Sequence, residues 1–122
     1  FDGVRHERTV HLDLTSSLLT VTDHIDTTDE HRFTILWHTA PGLETAIAPD
    51  GRIALERDGQ PVAYMRFESN ETSLTVHVAS DDPAGRRSVR LGGVEALPTS
   101  VVSVSFEADD QARVVTIVEL LD

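Results

Sequence analysis

Six residues able to bind a metal or move a proton crowd one nine-residue window: Asp23, His24, Asp26, Asp29, Glu30 and His31. Carboxylate oxygens suit calcium and imidazole nitrogens suit zinc, so Asp23, Asp26, Asp29, Glu30 and His31 make a candidate divalent-cation set. Their spacing is neither an Asp-X-Asp-X-Asp-Gly calcium loop nor an (i, i+4) zinc pair. A solvated turn between two strands accounts for the window equally well, with Asp23 accepting backbone N–H groups at a strand end.

A second chemistry is offered by cations. Arg86, Arg87 and Arg90 form the one basic patch of the sequence. A planar guanidinium grips a carboxylate bidentately, so these residues, with His38 before Pro41, are candidate contacts to a carboxylate-bearing ligand; pairing with the surrounding acids is the plainer use of the same arginines. Tyr64 is the sole tyrosine, and it reads as a packing residue beside Val62 and Arg66. His6 and His11 are five residues apart on a strand and so face opposite ways, which makes them poor joint ligands. Ser16, Ser17, Ser100 and Ser103 lack a nucleophile-elbow context, and no Gly-rich phosphate loop occurs. Asn70-Glu71-Thr72 is formally a glycosylation sequon, relevant only in a eukaryotic secretory setting.

The elements that must position these residues are strands. Period-two alternation runs through residues 5–12, 17–23 and 31–39, where Phe33, Ile35 and Trp37 oppose Arg32, Thr34, Leu36 and His38. A short strand is expected at 43–48, before the Pro49-Asp50-Gly51 turn. Residues 52–57 and 61–68 flank Asp58-Gly59, a pair that supplies the positive φ angles of a tight hairpin. Further strands are expected at 72–79, with Leu74, Val76 and Val78 inward, and at 86–91 after the loop at 81–85. Gly92-Gly93 and Pro98 end the latter. Residues 100–107 and 112–120 read as a second hairpin turned by Ala108-Asp109-Asp110-Gln111. About eight or nine strands in so short a chain predict one all-β domain over residues 1–122, an antiparallel two-sheet β-sandwich. Sequence does not say which strands are edges, but an unpaired edge offers pairing to a second copy, an edge-strand homodimer.

Charge narrows the partners. Twenty-one acids oppose ten bases, every base is Arg, and the formal net charge is −11. Like charge repels nucleic acid, anionic membranes and highly sulfated glycans, so neither nucleic acid nor a membrane is an expected partner. No apolar run approaches the roughly 18 residues of a helical membrane span. There is no cysteine, hence no disulfide or thiol chemistry. Phe1 stands where an initiator Met would, so the chain reads as a piece of a longer one with any export signal outside it.

The order of residues in the first third is more particular. His6-Glu7-Arg8-Thr9-Val10 is followed by Leu18-Leu19-Thr20-Val21-Thr22-Asp23, and then by Leu36-Trp37-His38-Thr39-Ala40-Pro41. This order resembles the later part of the β-sandwich in heparinase II/III-like polysaccharide lyases. Beyond about residue 45 only the strand pattern can be followed. In that family, a Tyr and a His abstract and return protons during β-elimination at a uronic acid, and Asn or another His neutralises the uronate. The family's His-Gly-His-Ala-Asp and His-Asn segments do not occur here, and Asn70 is the only Asn. The resemblance therefore implies an accessory half of the sandwich that supports the catalytic sheet and lines one rim of the substrate cleft. It implies an upstream catalytic domain of the same chain as partner and a polysaccharide reached through the parent enzyme. It implies no cofactor in this segment, with a divalent cation allowed in the parent. A periplasmic or secreted parent is expected, and the segment alone is expected to be inactive.

The alternative function is an independent carbohydrate-binding or adhesion-type sandwich, which presents exposed aromatics to sugar rings. Aromatics are 5% of the chain, and Phe33 and Trp37 share a face with Ile35, which suits a core.

Overall fold

Alternating side chains need a layer on one face and water on the other, and the computed structural model arranges them in that way. It describes residues 3–40, 42–71, 73–79, 88–89, 96–97 and 101–121. The fold is all-β with two antiparallel sheets. Strands β1 (Val4–Asp13), β2 (Leu18–Thr27), β4 (Glu44–Ile47), β5 (Ile53–Arg57), β6 (Gln60–Ser69) and β11 (Gln111–Leu120) form a six-stranded sheet in the order β1-β2-β11-β6-β5-β4. Strands β3 (His31–His38), β10 (Val101–Ala108) and β7 (Thr75–Ala79) form a three-stranded sheet in the order β3-β10-β7. The two-residue strands β8 (Ser88–Val89) and β9 (Ala96–Leu97) pair with each other.

The core lies between the two larger sheets. Ile25, Ala112 and Val114 of the larger sheet meet Ile35, Val104, Phe106 and Ala108 of the smaller. Phe33 stacks on Phe106 with centroids 5.5 Å apart and planes at 26°, a geometry worth about 0.5–1.5 kcal/mol beyond area burial. A second cluster, Ile53, Met65 and Val102, packs with Trp37, Leu55, Phe67, Val78 and Val118. The alternation expected of Phe33, Ile35 and Trp37 is present, with Arg32, Thr34 and His38 exposed on the reverse face. The Asp58-Gly59 hairpin also forms, with φ of 53° and 77° at the two residues and Arg57 opposite Gln60.

Two expectations are corrected. The strand that was to close at Asp23 continues to Thr27, because Val21, Asp23, Ile25 and Thr27 keep one buried row. Asp23 is thus mid-strand, and only residues 28–30 connect to β3. Residues 100–120 are also not a hairpin. β10 pairs with β3 and β7, whereas β11 pairs with β2 and β6, so the chain crosses between sheets at Asp109-Asp110. A tight hairpin needs positive φ, and among the described non-glycine residues only Ser17 and Asp58 adopt it. Alternation alone cannot distinguish two paired strands from two strands that bury the same core from opposite layers. The loop at 81–85, the Gly92-Gly93 and Pro98 breaks, and most of the strand at 86–91 lie outside the described residues.

Candidate functional site

The most organised polar constellation is built on the β1–β2 pair. The turn between them is capped by Asp13, whose carboxylate accepts the backbone N–H groups of Thr15 and Ser16 at 2.9 and 3.3 Å. The Ser16 backbone contact is the leading reason that the Asp13 carboxyl titrates below its ordinary value. The register set by this turn places Arg8 opposite Asp23 and His6 opposite Ile25. The Asp23 side chain is 0% exposed. It accepts Arg8 Nε at 2.7 Å and Arg8 Nη2 at 3.3 Å, one bond to each carboxylate oxygen. His6 Nε2 lies 2.7 Å from the same Oδ1 that takes Arg8 Nε. The Arg8 guanidinium carbon sits 4.9 Å from the centre of the Trp37 ring, so the ion pair is roofed by the opposite sheet.

This arrangement has the parts of an oriented His–Asp dyad, since a carboxylate on one ring nitrogen fixes the tautomer and leaves the other free. Arg8 changes its meaning. A guanidinium bonded to both oxygens neutralises the carboxylate, which makes the cluster an internal ion pair with a histidine at its rim. Two further buried polar atoms, Trp37 Nε1 and Thr116 Oγ1, have no hydrogen-bond partner among the described residues.

A second cationic feature lies on the β5–β6 side. Arg52 covers the Tyr64 ring at 4.0 Å and pairs with Asp50 at 2.7 Å and Glu119 at 3.6 Å. The Asp50 carboxyl is held below its ordinary value, first by the Arg52 backbone N–H and then by its side chain. Arg66 pairs with Glu68. A groove of about 260 Å³ runs past Arg52, Tyr64, Arg66, Ile117 and Glu119. A larger cleft of about 450 Å³ lies where Arg52 and Arg66 approach Ile47, Phe67, Leu74 and Val76.

The sequence-derived candidates are dispersed. Asp23 is inside the sandwich, while Asp26 on the same strand is exposed on the reverse face. Asp29 and Glu30 occupy the connection to β3, where the Asp29 carbonyl accepts the Thr27 hydroxyl at 2.7 Å. Glu30 lines a small cleft with Glu71, Glu107 and Asp109, and His31 sets its ring edge against Phe33 at 6.1 Å. No group of three His, Asp or Glu side chains gathers as a metal site among the described residues. The Asp23, Asp26, Asp29, Glu30 and His31 set is therefore not brought together. His38 ends β3, exposed and opposite Val101. Arg86, Arg87 and Arg90 lie outside the described residues. Trp37 packs against both core clusters rather than presenting a sugar platform.

In a comparison with protein families, the model of the heparinase II/III-like C-terminal domain matches residues 1–118. The chain belongs to that family. No curated protein matched it. The match extends the resemblance from the first third of this heparinase II/III-like domain to nearly its whole length. Within that domain, the Arg8–Asp23 pair is the feature that residue-by-residue reading missed. Its signal was present: two strands about a turn at 14–17 place opposite charges at 8 and 23, equally far from its centre. The Arg52–Tyr64 stack left no such trace: the Asp58-Gly59 turn by itself sets Ile53 opposite Tyr64, and a register shift between Leu55 and Glu56 puts Ala54 there instead.

Proposed function

We propose that this chain is the non-catalytic sandwich segment of a heparinase II/III-like polysaccharide lyase. The observation that carries this reading is the family match along residues 1–118. In the proposal, the parent enzyme performs β-elimination on a uronic-acid-containing glycan, with a general base removing the C5 proton and a general acid protonating the leaving oxygen. The present segment stiffens the catalytic sheet and contributes a rim of the cleft.

Its non-catalytic part is supported by how the potential acid–base groups are engaged. Asp23 is neutralised by Arg8, and the ring face of Tyr64 is covered by Arg52 in a groove whose lining holds no histidine. The rim role is assigned to five arginines and a histidine: Arg52 and Arg66 beside the groove, and Arg86, Arg87, Arg90 and His38 from the sequence. The proposal includes a periplasmic or secreted parent, with an upstream catalytic domain as this segment's partner.

The test is direct. Incubated with uronate-containing polysaccharides, the chain produces no ultraviolet absorbance from unsaturated uronate ends. Depolymerisation by the chain that disappears in Tyr64→Phe overturns the non-catalytic reading. Titration with uronate oligosaccharides, followed by NMR at the arginine side chains, tests the rim role. Shifts confined to Arg52 and Arg66, or to Arg86, Arg87 and Arg90, choose between the two groups; no shift in either removes the rim.

A further inference from the structure

Strand β1 is the outer strand of the six-stranded sheet, and among the described residues β2 is its only partner. Its inner row, Val4, His6, Arg8, Val10 and Leu12, faces the side occupied by the second sheet. That sheet has three strands to the first sheet's six. Past Arg8 the cover runs out: Val10 is 60% and Leu12 50% exposed, although their cross-strand neighbours Val21 and Leu19 are more enclosed. An exposed strand with two bare aliphatic side chains on its core-side row is an edge built to be covered.

We infer that the occupant is β1 of a second copy, paired antiparallel about a two-fold axis at Thr9. The register follows from charge. For Val10 and Leu12 to meet a partner's inner row, the axis must pass through a residue, because an axis between residues sets inner rows against outer ones. Within Val4–Asp13, only axes at Glu7, Arg8, Thr9 and Val10 engage seven or more residues of each strand. An axis at Glu7 sets Glu7 against Glu7, one at Arg8 sets Arg8 against Arg8, and one at Val10 sets Glu7 against Asp13.

The axis at Thr9 pairs residue i with residue 18 − i over Arg5 to Asp13 and brings no like charges together. On the outer row it sets Arg5 against Asp13 and Glu7 against His11, with Thr9 meeting Thr9. Arg5 and Glu7 already form an ion pair along this row, so the dimer extends it into alternating charge. On the inner row Val10 lies over the aliphatic stem of the partner copy's Arg8, held in place by Asp23 and Trp37, and Leu12 lies beside His6. β1 itself carries Arg5, Arg8, Glu7 and Asp13, a formally neutral strip on a chain of net charge −11. The contact is isologous, so each side-chain pair occurs twice and assembly closes at two copies.

Sedimentation velocity across a concentration series tests this on the chain itself, with Val10→Lys and Val10→Glu as probes. Val10 is exposed, so neither variant disturbs the fold, which circular dichroism verifies. Wild type shows a concentration-dependent monomer–dimer equilibrium. Val10→Lys sets two cations against the two Arg8 side chains and raises the dimer dissociation constant at least about tenfold, or 1.4 kcal/mol. Val10→Glu sets an anion there and retains the dimer. A wild-type chain that stays monomeric at millimolar concentration, or that grows past the dimer, overturns the inference. Equal effects of the Lys and Glu variants overturn the register.

Discussion

Replacing Arg8 by Met keeps the aliphatic stem against Trp37 and removes the charge that answers Asp23. Asp23 is 0% exposed and, among the described residues, would retain only His6 Nε2 as a side-chain partner. Hydrogen bonds to charged groups contribute about 1.5–3 kcal/mol each, and breaking a fully buried ion pair costs about 3–5 kcal/mol. Arg8 is 40% exposed, so solvent already screens part of this pair, and the expected loss is about 2–3 kcal/mol. Against a total stability of about 5–15 kcal/mol, that loss is large. Interpolating between about 4–8 °C per kcal/mol for smaller domains and 2–4 °C for larger ones, it lowers Tm by roughly 10 °C.

The reverse substitution is milder. Asp23→Val removes the buried charge itself and leaves Arg8 and His6, both part-exposed, free to turn to water. Its cost is about 1 kcal/mol, and the double variant lies within about 1 kcal/mol of wild type, a coupling of about 2 kcal/mol. Urea denaturation of all four chains, compared at unchanged m-value, measures the cycle. The reasoning is refuted by an Asp23→Val cost equal to that of Arg8→Met, or by a coupling below about 0.5 kcal/mol.

Thr116→Val deletes a fully buried hydroxyl without a partner and is expected to stabilise by about 1 kcal/mol in the same assay; a loss of stability would mean that the hydroxyl is satisfied after all. Gly59→Ala places a Cβ at φ 77° in otherwise open space, so it costs about 1 kcal/mol through backbone strain alone, and Asp58→Asn leaves stability unchanged. The Asp13 and Asp50 carboxyls have folded-state values below their ordinary, unfolded ones. Their contribution is therefore present above the unfolded value and lost as pH falls through the folded one. Carboxyl NMR titration should find both midpoints below the ordinary aspartate value, and Asp13→Asn, which keeps an acceptor for Thr15 and Ser16, should remove the first of these dependences.

The strands were legible because their signals are local. Phe33, Ile35 and Trp37 could be put on one face by parity alone, and Asp58-Gly59 announced a turn and its first two pairs, though not the register shift between Leu55 and Glu56. The partner of each strand was less legible. Val102, Val104, Phe106 and Ala108 of β10 and Ala112, Val114 and Thr116 of β11 each make a buried row whether the strands pair or face each other, and nothing in Asp109-Asp110 marks a crossing. The surroundings of Asp23 were less legible for a related reason. In sequence, Asp23 fits a cation set or a solvated turn equally well, whereas the fold seats it inside the sandwich beside an arginine fifteen residues earlier. A buried charge is legible only together with its counterion, and the counterion is a tertiary fact.

The crossings between layers are unevenly distributed. The chain passes from one sheet to the other after Thr27, after Ser69 and after Ala108, all at the same end of the sandwich. These passages are stitched together: Thr27 N–H donates to the Asp110 carbonyl at 2.8 Å, Arg113 N–H to Asn70 Oδ1 at 2.8 Å, and Glu107 N–H to Ser73 Oγ at 3.1 Å. At the other end, the passage from His38 to Glu44 is the one among the described residues. The two sheets are bound like the leaves of a book, with a triple spine beside Ile25, Ala108 and Ala112 and a fore-edge beside Trp37 and Met65. Thermal opening should start at the fore-edge, so a ligand or partner gripping that margin would act as a clasp on the whole volume.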